Sequence, residues 1–119
     1  FRQAFEHLSR EVLRGAAIMY IDVSYTESLR KNRKRFNPDR PDSILEHGLS
    51  DEKLERIYFE VDWHELSGGQ PHGRLEIQGI PVPFVVFENE DDVTTQGGDA
   101  LDVRLEQRLN TLWELYTGR

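Results

Sequence analysis

The uninterrupted apolar run from Ala16 to Val23, AAIMYIDV, is the feature that most restricts the fold of this chain. A strand with one solvated face alternates apolar and polar residues, whereas this run is apolar at almost every position. Such strands are buried on both faces and are typical of parallel sheets covered by helices. A second run, FVVF within Val82 to Phe87, predicts another strand of this kind, with Pro81 and Pro83 confined to its beginning.

Helical patterns alternate with these runs. The predicted helices are Phe1 to Gly15, Thr26 to Phe36, a helix capped by Ser50 with Leu54, Ile57, Tyr58 and Val61 as its core face, and a last helix from Leu101 to Tyr116 ended by Gly118. A turn formed by Ser43 and Glu46 is also predicted, and Asp62 to Gly73 is predicted to be a loop. A hairpin turning at Gln78-Gly79 precedes the second strand. The alternation predicts an α/β fold.

Length and composition limit the classes of function. The 119 residues suit a single domain or partial domain, with segments 1–36, 37–62 and 63–119. A net charge of −7 makes nucleic acid an unlikely general ligand, because most of the surface repels phosphate. The chain has no cysteine, which excludes disulfides and thiolate chemistry and is compatible with the cytoplasm. No run is long enough to span a membrane.

Five basic residues in six positions follow the first strand. They are Arg30, Lys31, Arg33, Lys34 and Arg35. Guanidinium groups bind phosphate by planar, often bidentate hydrogen bonds, so the arginines are candidate phosphate contacts and the lysines supporting point charges. Two alternatives stay open. The residues form a solvated face paired with the chain's own carboxylates, or they dock an acidic partner or an RNA backbone in a non-enzymatic α/β interaction module.

The strand and basic helix, IMYIDVSYTESLRKNRKRF, continue into the polar segment NPDRPDSILEHG. This order resembles the C-terminal half of P-loop kinases of the nucleoside and nucleotide kinase type. In that family an apolar strand ending near an Asp leads to an arginine-rich helix and then to a mobile lid over the nucleotide phosphates. The sequence PFVVFENEDD, followed by Gly97 to Tyr116, is similar to the family's last strand, base-proximal loop and final helix.

The resemblance implies a three-layer P-loop-type parallel sheet and an ATP site with Mg²⁺. Arg30, Arg33 and Arg35 are then catalytic phosphate contacts, supported by Lys31 and Lys34, with Arg40 as a lid residue. The phosphate loop GxxxxGK[ST] is absent, so the resemblance places it upstream of Phe1, and the chain alone is not expected to turn over ATP. Partners are then a nucleotide, an unidentified phosphate acceptor, and an upstream segment or second subunit that completes the sheet.

Two residues beside the predicted strands are further candidates for cofactor binding. Asp22 ends the first strand, where α/β proteins bind ligands, and orients a metal-bound water or a lid arginine; alternatively it caps the next helix. Asn89 follows the second strand and is placed to contact a purine edge; alternatively Glu88 to Asp92 is an acidic turn. The histidines do not cluster, so no metal site is predicted. Trp63 and Trp113 are predicted core residues.

Overall fold

The computed structural model describes residues 1–40 and 48–118. Its contacts divide the chain into two compact units. The first, which we call the sheet unit, comprises Phe1–Asp22 and Asp62–Arg119. The second, which we call the helical unit, comprises Val23–Val61. The predicted turn at Ser43 and Glu46 lies outside the described residues.

The chain contains both α-helices and β-strands, so the structure is mixed α/β. In chain order they are α1 (Arg2–Glu6), α2 (Arg10–Arg14), β1 (Ile18–Asp22), α3 (Tyr25–Arg35), α4 (Asp51–Phe59), α5 (Trp63–Ser67), β2 (His72–Ile77), β3 (Ile80–Glu88), α6 (Val93–Gln96) and α7 (Gly98–Thr117). No helix in residues 1–40 or 48–118 combines the length and the apolar character that crossing a bilayer requires.

The sheet has three strands in the order β1-β3-β2. The two strands expected from apolar runs, β1 and β3, are parallel neighbours, with Ile18 opposite Phe84 and Asp22 opposite Glu88. The two predicted strands are therefore present and parallel to each other, whereas their direct pairing is a finding of the structure. Because β2 pairs antiparallel with β3, the sheet is small and mixed rather than wholly parallel.

The two prolines of β3 occupy positions where the sheet loses no hydrogen bond. Val86 donates its backbone N–H to Pro71 on the β2 side, and Asn89 donates to Asp22 on the β1 side. Since N–H groups alternate along a strand, Pro81 and Pro83 face the β1 side. Pairing with β1 begins only at Phe84, so no partner there is deprived of a donor.

The hairpin between β2 and β3 turns where the sequence predicts. Gln78 and Gly79 both have positive φ, 53° and 76°, as the two central residues of a type I′ turn require. The Gln78 side chain also donates to the backbone oxygens of Phe5 and Leu8, at 3.1 and 2.8 Å. This amide thereby gives a donor to the Leu8 carbonyl just beyond α1 and a further donor to the Phe5 carbonyl, which also accepts from the Leu8 N–H.

The core lies on both faces of the sheet. On one face Trp63 is 1% exposed, stacks on Tyr20 at 4.5 Å between ring centroids and meets the edge of Phe84. On the other face α7 covers β3, where Arg104 lies 5.9 Å from the ring centroid of Phe87. The prediction of Trp63 as a core residue is confirmed. That of Trp113 is wrong, because this side chain is 64% exposed.

Several elements differ from the sequence prediction. The opening helix is broken into α1 and α2, because Ser9 caps a new helix by accepting a hydrogen bond from the Val12 N–H. The segment expected to be a loop contains α5, and the acidic turn leads into α6. The strand β1 is not buried on both faces, since Ile21 is half exposed, and Ile57 is exposed rather than part of a core face.

The helical unit is held by a polar contact. Asn32 on α3 is buried and donates to the backbone oxygen of Leu49 at 2.6 Å while accepting from the Leu49 N–H at 2.8 Å. A Cβ on Gly48 would lie 3.2 to 3.3 Å from Asn32 oxygens, so a larger residue there would make a tight contact and require a small shift of Asn32. Next to it, Ser50 caps α4 through the Lys53 N–H, as predicted.

Candidate functional site

The carboxyl ends of the parallel strands bring together polar residues that are distant in sequence. Asp22 ends β1 and Glu88 ends β3 directly opposite it. The backbone N–H of Asn89 donates to the Asp22 carbonyl oxygen at 2.8 Å, and the Asn89 side chain accepts from Thr94 at 3.1 Å. Two predicted site residues, Asp22 and Asn89, therefore meet at the edge of the sheet where α/β proteins bind ligands.

Ser24, rather than Asp22, caps the helix that follows. Its hydroxyl accepts a hydrogen bond from the Glu27 N–H, at the N-terminus of α3. The alternative in which Asp22 serves as the helix cap is therefore wrong. Its carboxylate lies 3.9 Å from Nε2 of His64, and its side chain is 38% exposed.

Two arginines on α7 hold the acidic residues that follow β3. Arg108 donates twice to Oε2 of Glu88, and Arg104 forms a two-pronged ion pair with Asp91 at 2.9 Å while donating to the Glu88 carbonyl oxygen. Burial raises the pKa of Glu88, but its hydrogen bonds and the two arginines outweigh burial and lower it. Hydrogen bonding from Arg104 lowers the pKa of Asp91 to about 2.

A small cleft opens beside these strand ends, with a volume of about 190 Å³. Its lining includes Asp22, Glu88, His64, Ser67, Gln70 and Trp63. Two of these residues are more than nine-tenths buried and carry a polar atom without a hydrogen-bond partner in the described structure, namely Nε1 of Trp63 and Oγ of Ser67. Native proteins satisfy nearly all buried polar groups, and both of these exceptions belong to residues that line the cleft.

Within residues 1–40 and 48–118, no group of three or more His, Asp or Glu side chains is arranged to hold a metal ion. Although His64, Asp22 and Glu88 line one cleft, they do not form a metal-binding cluster.

The five predicted basic residues all lie on α3, in the helical unit. Arg30 pairs with Glu27 at 2.8 Å, one turn earlier on the same helix. Arg33 pairs with Asp51 of α4 at 2.9 Å, and both side chains are more than half exposed. The basic helix is thus partly neutralised by carboxylates of its own unit, and these exposed pairs are weak enough to be exchanged for another anion.

The end of the basic helix has a local electrostatic role as well. Arg33, Lys34 and Arg35 form the last turn of α3, where positive charge is favoured by the partial negative charge of the helix end. Both Lys34 and Arg35 are exposed. The predicted lid residue Arg40 is exposed too, and its backbone N–H closes a turn on the Asn37 carbonyl oxygen.

The sequence interpretation missed several residues of the strand-end site. His64 and Ser67 lie in the segment predicted to be a loop, but in the structure α5 contains both residues and both line the cleft. Neither Arg104 nor Arg108 is a predicted site residue, although both lie within the predicted last helix. The available signal was that these two arginines are four residues apart, which puts both cations on one helical face, and that they follow the acidic run Glu88 to Asp92 in the sequence.

Comparisons with protein-family models, with curated proteins and with solved structures returned no match to this chain.

Proposed function

We propose that this chain is the lid-containing, C-terminal portion of a nucleotide-binding protein of the P-loop NTPase or kinase-like type. In this proposal α3 contributes cations to the phosphates of ATP bound with Mg²⁺, and a phosphate loop outside the chain completes the site. The chain contains no GxxxxGK[ST] sequence, so it is inactive in ATP turnover by itself.

One observation carries the proposal. Asp22 and Asn89 meet at the carboxyl ends of a parallel strand pair, and the chain passes from Asp22 through Ser24 directly into the helix with five basic residues. Ligand crevices of α/β proteins form at this end of the sheet, and the transferred phosphoryl group in such sites is stabilised by arginines and metal-bound oxygens. The order strand, carboxylate, basic helix supports the kinase-like interpretation.

The proposed roles follow from charge and exposure. Arg33 and Arg35 are exposed at the end of α3, so they contact phosphate oxygens without first leaving a buried environment. Arg30 exchanges its exposed pair with Glu27 for phosphate, and Lys31 and Lys34 add positive potential. Asp22, Asn89 and Arg40 keep the roles that the family resemblance implies.

Binding of a fluorescent ATP analogue to the chain tests the proposal. We expect unlabelled ATP to displace the analogue, and the double variant Arg33→Ala/Arg35→Ala to weaken binding at least about ten-fold, since the loss of a single charge-assisted hydrogen bond of about 1.5 kcal/mol already corresponds to that factor. Arg56→Ala is the matched control, because Arg56 is an exposed arginine of the same unit that lies on α4 and pairs with Glu60. Equal binding by the double variant and wild type would remove the basis for the phosphate site.

A second candidate function has its own supporting observation. Arg30 and Arg33 are already engaged with carboxylates, which is the chemistry that an acidic protein partner would offer. In this alternative the chain is a non-enzymatic interaction module whose basic helix docks an acidic partner or an RNA backbone. Competition distinguishes the two: ATP displaces a bound acidic peptide in the kinase-like case and leaves it bound in the docking case.

The sheet offers a place for a further partner. Within the described residues β1 is an edge strand of the sheet, with β3 as its neighbouring strand on one side. Exposed strand edges are ready to pair with another strand. We propose that an upstream segment or a second subunit completes the sheet here. Hydrogen exchange of β1 amides in the longer protein tests this, since added pairing slows their exchange.

A further inference from the structure

The cleft beside the ends of β1 and β3 presents hydrogen-bond acceptors and donors together. Carboxylate oxygens of Asp22 and Glu88 are acceptors. Both hydrogen bonds from Arg108 go to Oε2 of Glu88, which leaves Oε1 able to accept another. On the same lining, Ser67 and Trp63 carry the buried hydroxyl and indole N–H that have no partner in the described structure.

This combination selects the chemistry of a ligand. A phosphate or carboxylate group would be repelled by the carboxylates of Asp22 and Glu88. An ammonium group would suit the carboxylates but, having only donors, would leave the indole N–H of Trp63 unpaired. A hydroxyl group both donates and accepts, so it satisfies the carboxylates and the buried donors at once.

The size of the cleft adds a second restriction. Its volume of about 190 Å³ is below the ~300 Å³ at which pockets for drug-sized ligands begin. Pro71 and Val86 add apolar surface to the lining, which suits the C–H face of a small carbon skeleton. The space accommodates a molecule of a few carbon atoms rather than a nucleobase with its sugar.

We propose that this cleft binds a small neutral polyol, or the polyol portion of a larger molecule, with its hydroxyl groups bonded to Asp22, Glu88 and Ser67. The inference rests on the proposed function only in one respect: in a kinase-like protein the polyol is the phosphate acceptor, so its hydroxyl oxygen bonds to the γ-phosphorus of ATP as the bond to the leaving ADP breaks, and a carboxylate beside that hydroxyl receives its proton. Binding itself requires no nucleotide.

Two-dimensional ¹H–¹⁵N spectra of the chain, titrated with glycerol and with erythritol, test the proposal. The background variant Trp113→Phe removes the exposed second indole and leaves Trp63 as the one tryptophan. We expect saturable shifts of the Trp63 indole signal and of the backbone amides of Ser67 and Gln70. Shifts spread evenly over the surface, or shifts that do not saturate, would show a solvent effect and overturn the proposal.

Variants of the lining make the test specific. Ser67→Ala and Asp22→Asn are each expected to weaken polyol binding about five-fold, the equivalent of one hydrogen bond of ~1 kcal/mol. Asp22→Asn preserves the fold, because Asn89 bonds to the backbone oxygen of residue 22. Glu65→Gln is the control, since this exposed carboxylate lies on α5 but does not line the cleft. Unchanged binding in both lining variants would refute the site.

Competing ligands separate this inference from the proposed function. Inorganic phosphate or ethanolamine shifting the Trp63 signal in place of the polyols would overturn the assignment to a neutral polyol. If ATP fails to bind the chain while glycerol binds at the cleft, the nucleotide proposal loses its support and the polyol site stands. If ATP binds and neither polyol does, the polyol site is refuted alone.

Discussion

The sheet unit and the helical unit are stabilised in different ways. Nearly all apolar side chains that are fully buried in the described residues belong to the sheet unit, where Trp63, Phe84 and Phe87 are each 1–2% exposed. Among residues 23–40 and 48–61 of the helical unit, the buried side chains are the apolar Leu54 and the polar Asn32. The described part of the helical unit therefore has fewer buried apolar side chains than the sheet unit, and one of its two buried side chains contributes hydrogen bonds.

This difference has a consequence for dynamics. Regions with few buried apolar contacts and exposed hydrogen bonds open at a lower free energy than the core of the same protein. Elements that close over ligands are drawn from such regions. The helical unit carries the basic helix, so the less stabilised unit is also the one proposed to contact phosphate. The strand-end cleft belongs to the sheet unit and is more rigidly supported.

The largest expected effect concerns the core of the sheet unit. Trp63→Ala removes the stack on Tyr20 and the edge contact with Phe84, and it should lower the free energy of unfolding by about 3–5 kcal/mol. Urea unfolding measures it. Trp113→Ala is the matched control, expected to change stability by less than ~1 kcal/mol because this indole is 64% exposed. Equal losses would contradict the assignment of the core.

The next test addresses the two hydrogen bonds between the Asn32 side chain and the Leu49 backbone in the helical unit. Asn32→Ala leaves the Leu49 N–H and carbonyl oxygen without their partner and should cost about 1–3 kcal/mol. Hydrogen exchange is expected to speed up in α3 and α4 but not in β3. The control is Asn110→Ala, which removes an exposed amide on α7. Equal loss of protection in both units would show that they unfold together.

Acid should weaken the two ion pairs of the sheet unit, Arg104 with Asp91 and Arg108 with Glu88. The pKa of Asp91 is about 2 in the folded chain, below its ordinary value near 4, and that of Glu88 is also lowered. Stability from these groups is therefore present above pH ~4 and is lost as the pH falls towards 2. Urea unfolding between pH 2 and 6 measures how much free energy of unfolding each variant loses on acidification. This loss should be smaller for Asp91→Asn than for the control Asp99→Asn. Identical profiles would contradict a stabilising ion pair at Asp91.

The smallest effect is expected at the exposed pair of the basic helix. The coupling between Arg33 and Asp51 in a double-mutant cycle should be below ~0.5 kcal/mol, because both side chains are more than half exposed. Thermal unfolding of Arg33→Ala, Asp51→Ala and the double variant provides the cycle. A coupling above ~1 kcal/mol would mean that the pair is structural and unsuited to exchange for phosphate.

Local chemistry allowed much of the fold to be predicted. The apolar runs around Met19 and Val85 both form strands, since uninterrupted apolar runs of this length are typical of parallel sheets. Ser50 capped its helix and Gln78-Gly79 formed its turn, because both depend on a few adjacent residues. The basic helix and the position of Asp22 at a strand end also followed from local pattern.

Local pattern failed where contacts between distant segments decide the outcome. Helical periodicity predicted that Trp113 and Ile57 lie on buried faces, but both side chains are exposed. The reason is that burial depends on what packs against a helix and not on the helix itself. The break at Ser9 was missed since a capping serine competes with an otherwise helical pattern.

The sequence by itself determined the two apolar strands, the hairpin turn, the Ser50 cap and the concentration of cations on α3, because each depends on residues that are neighbours along the chain. Only the tertiary structure decided that Asp22 and Asn89 meet and that α5 brings His64 and Ser67 to the same cleft. It also decided that Arg104 and Arg108 hold the acidic turn. The physical reason is that these contacts form only after the sheet has fixed the relative positions of its distant segments.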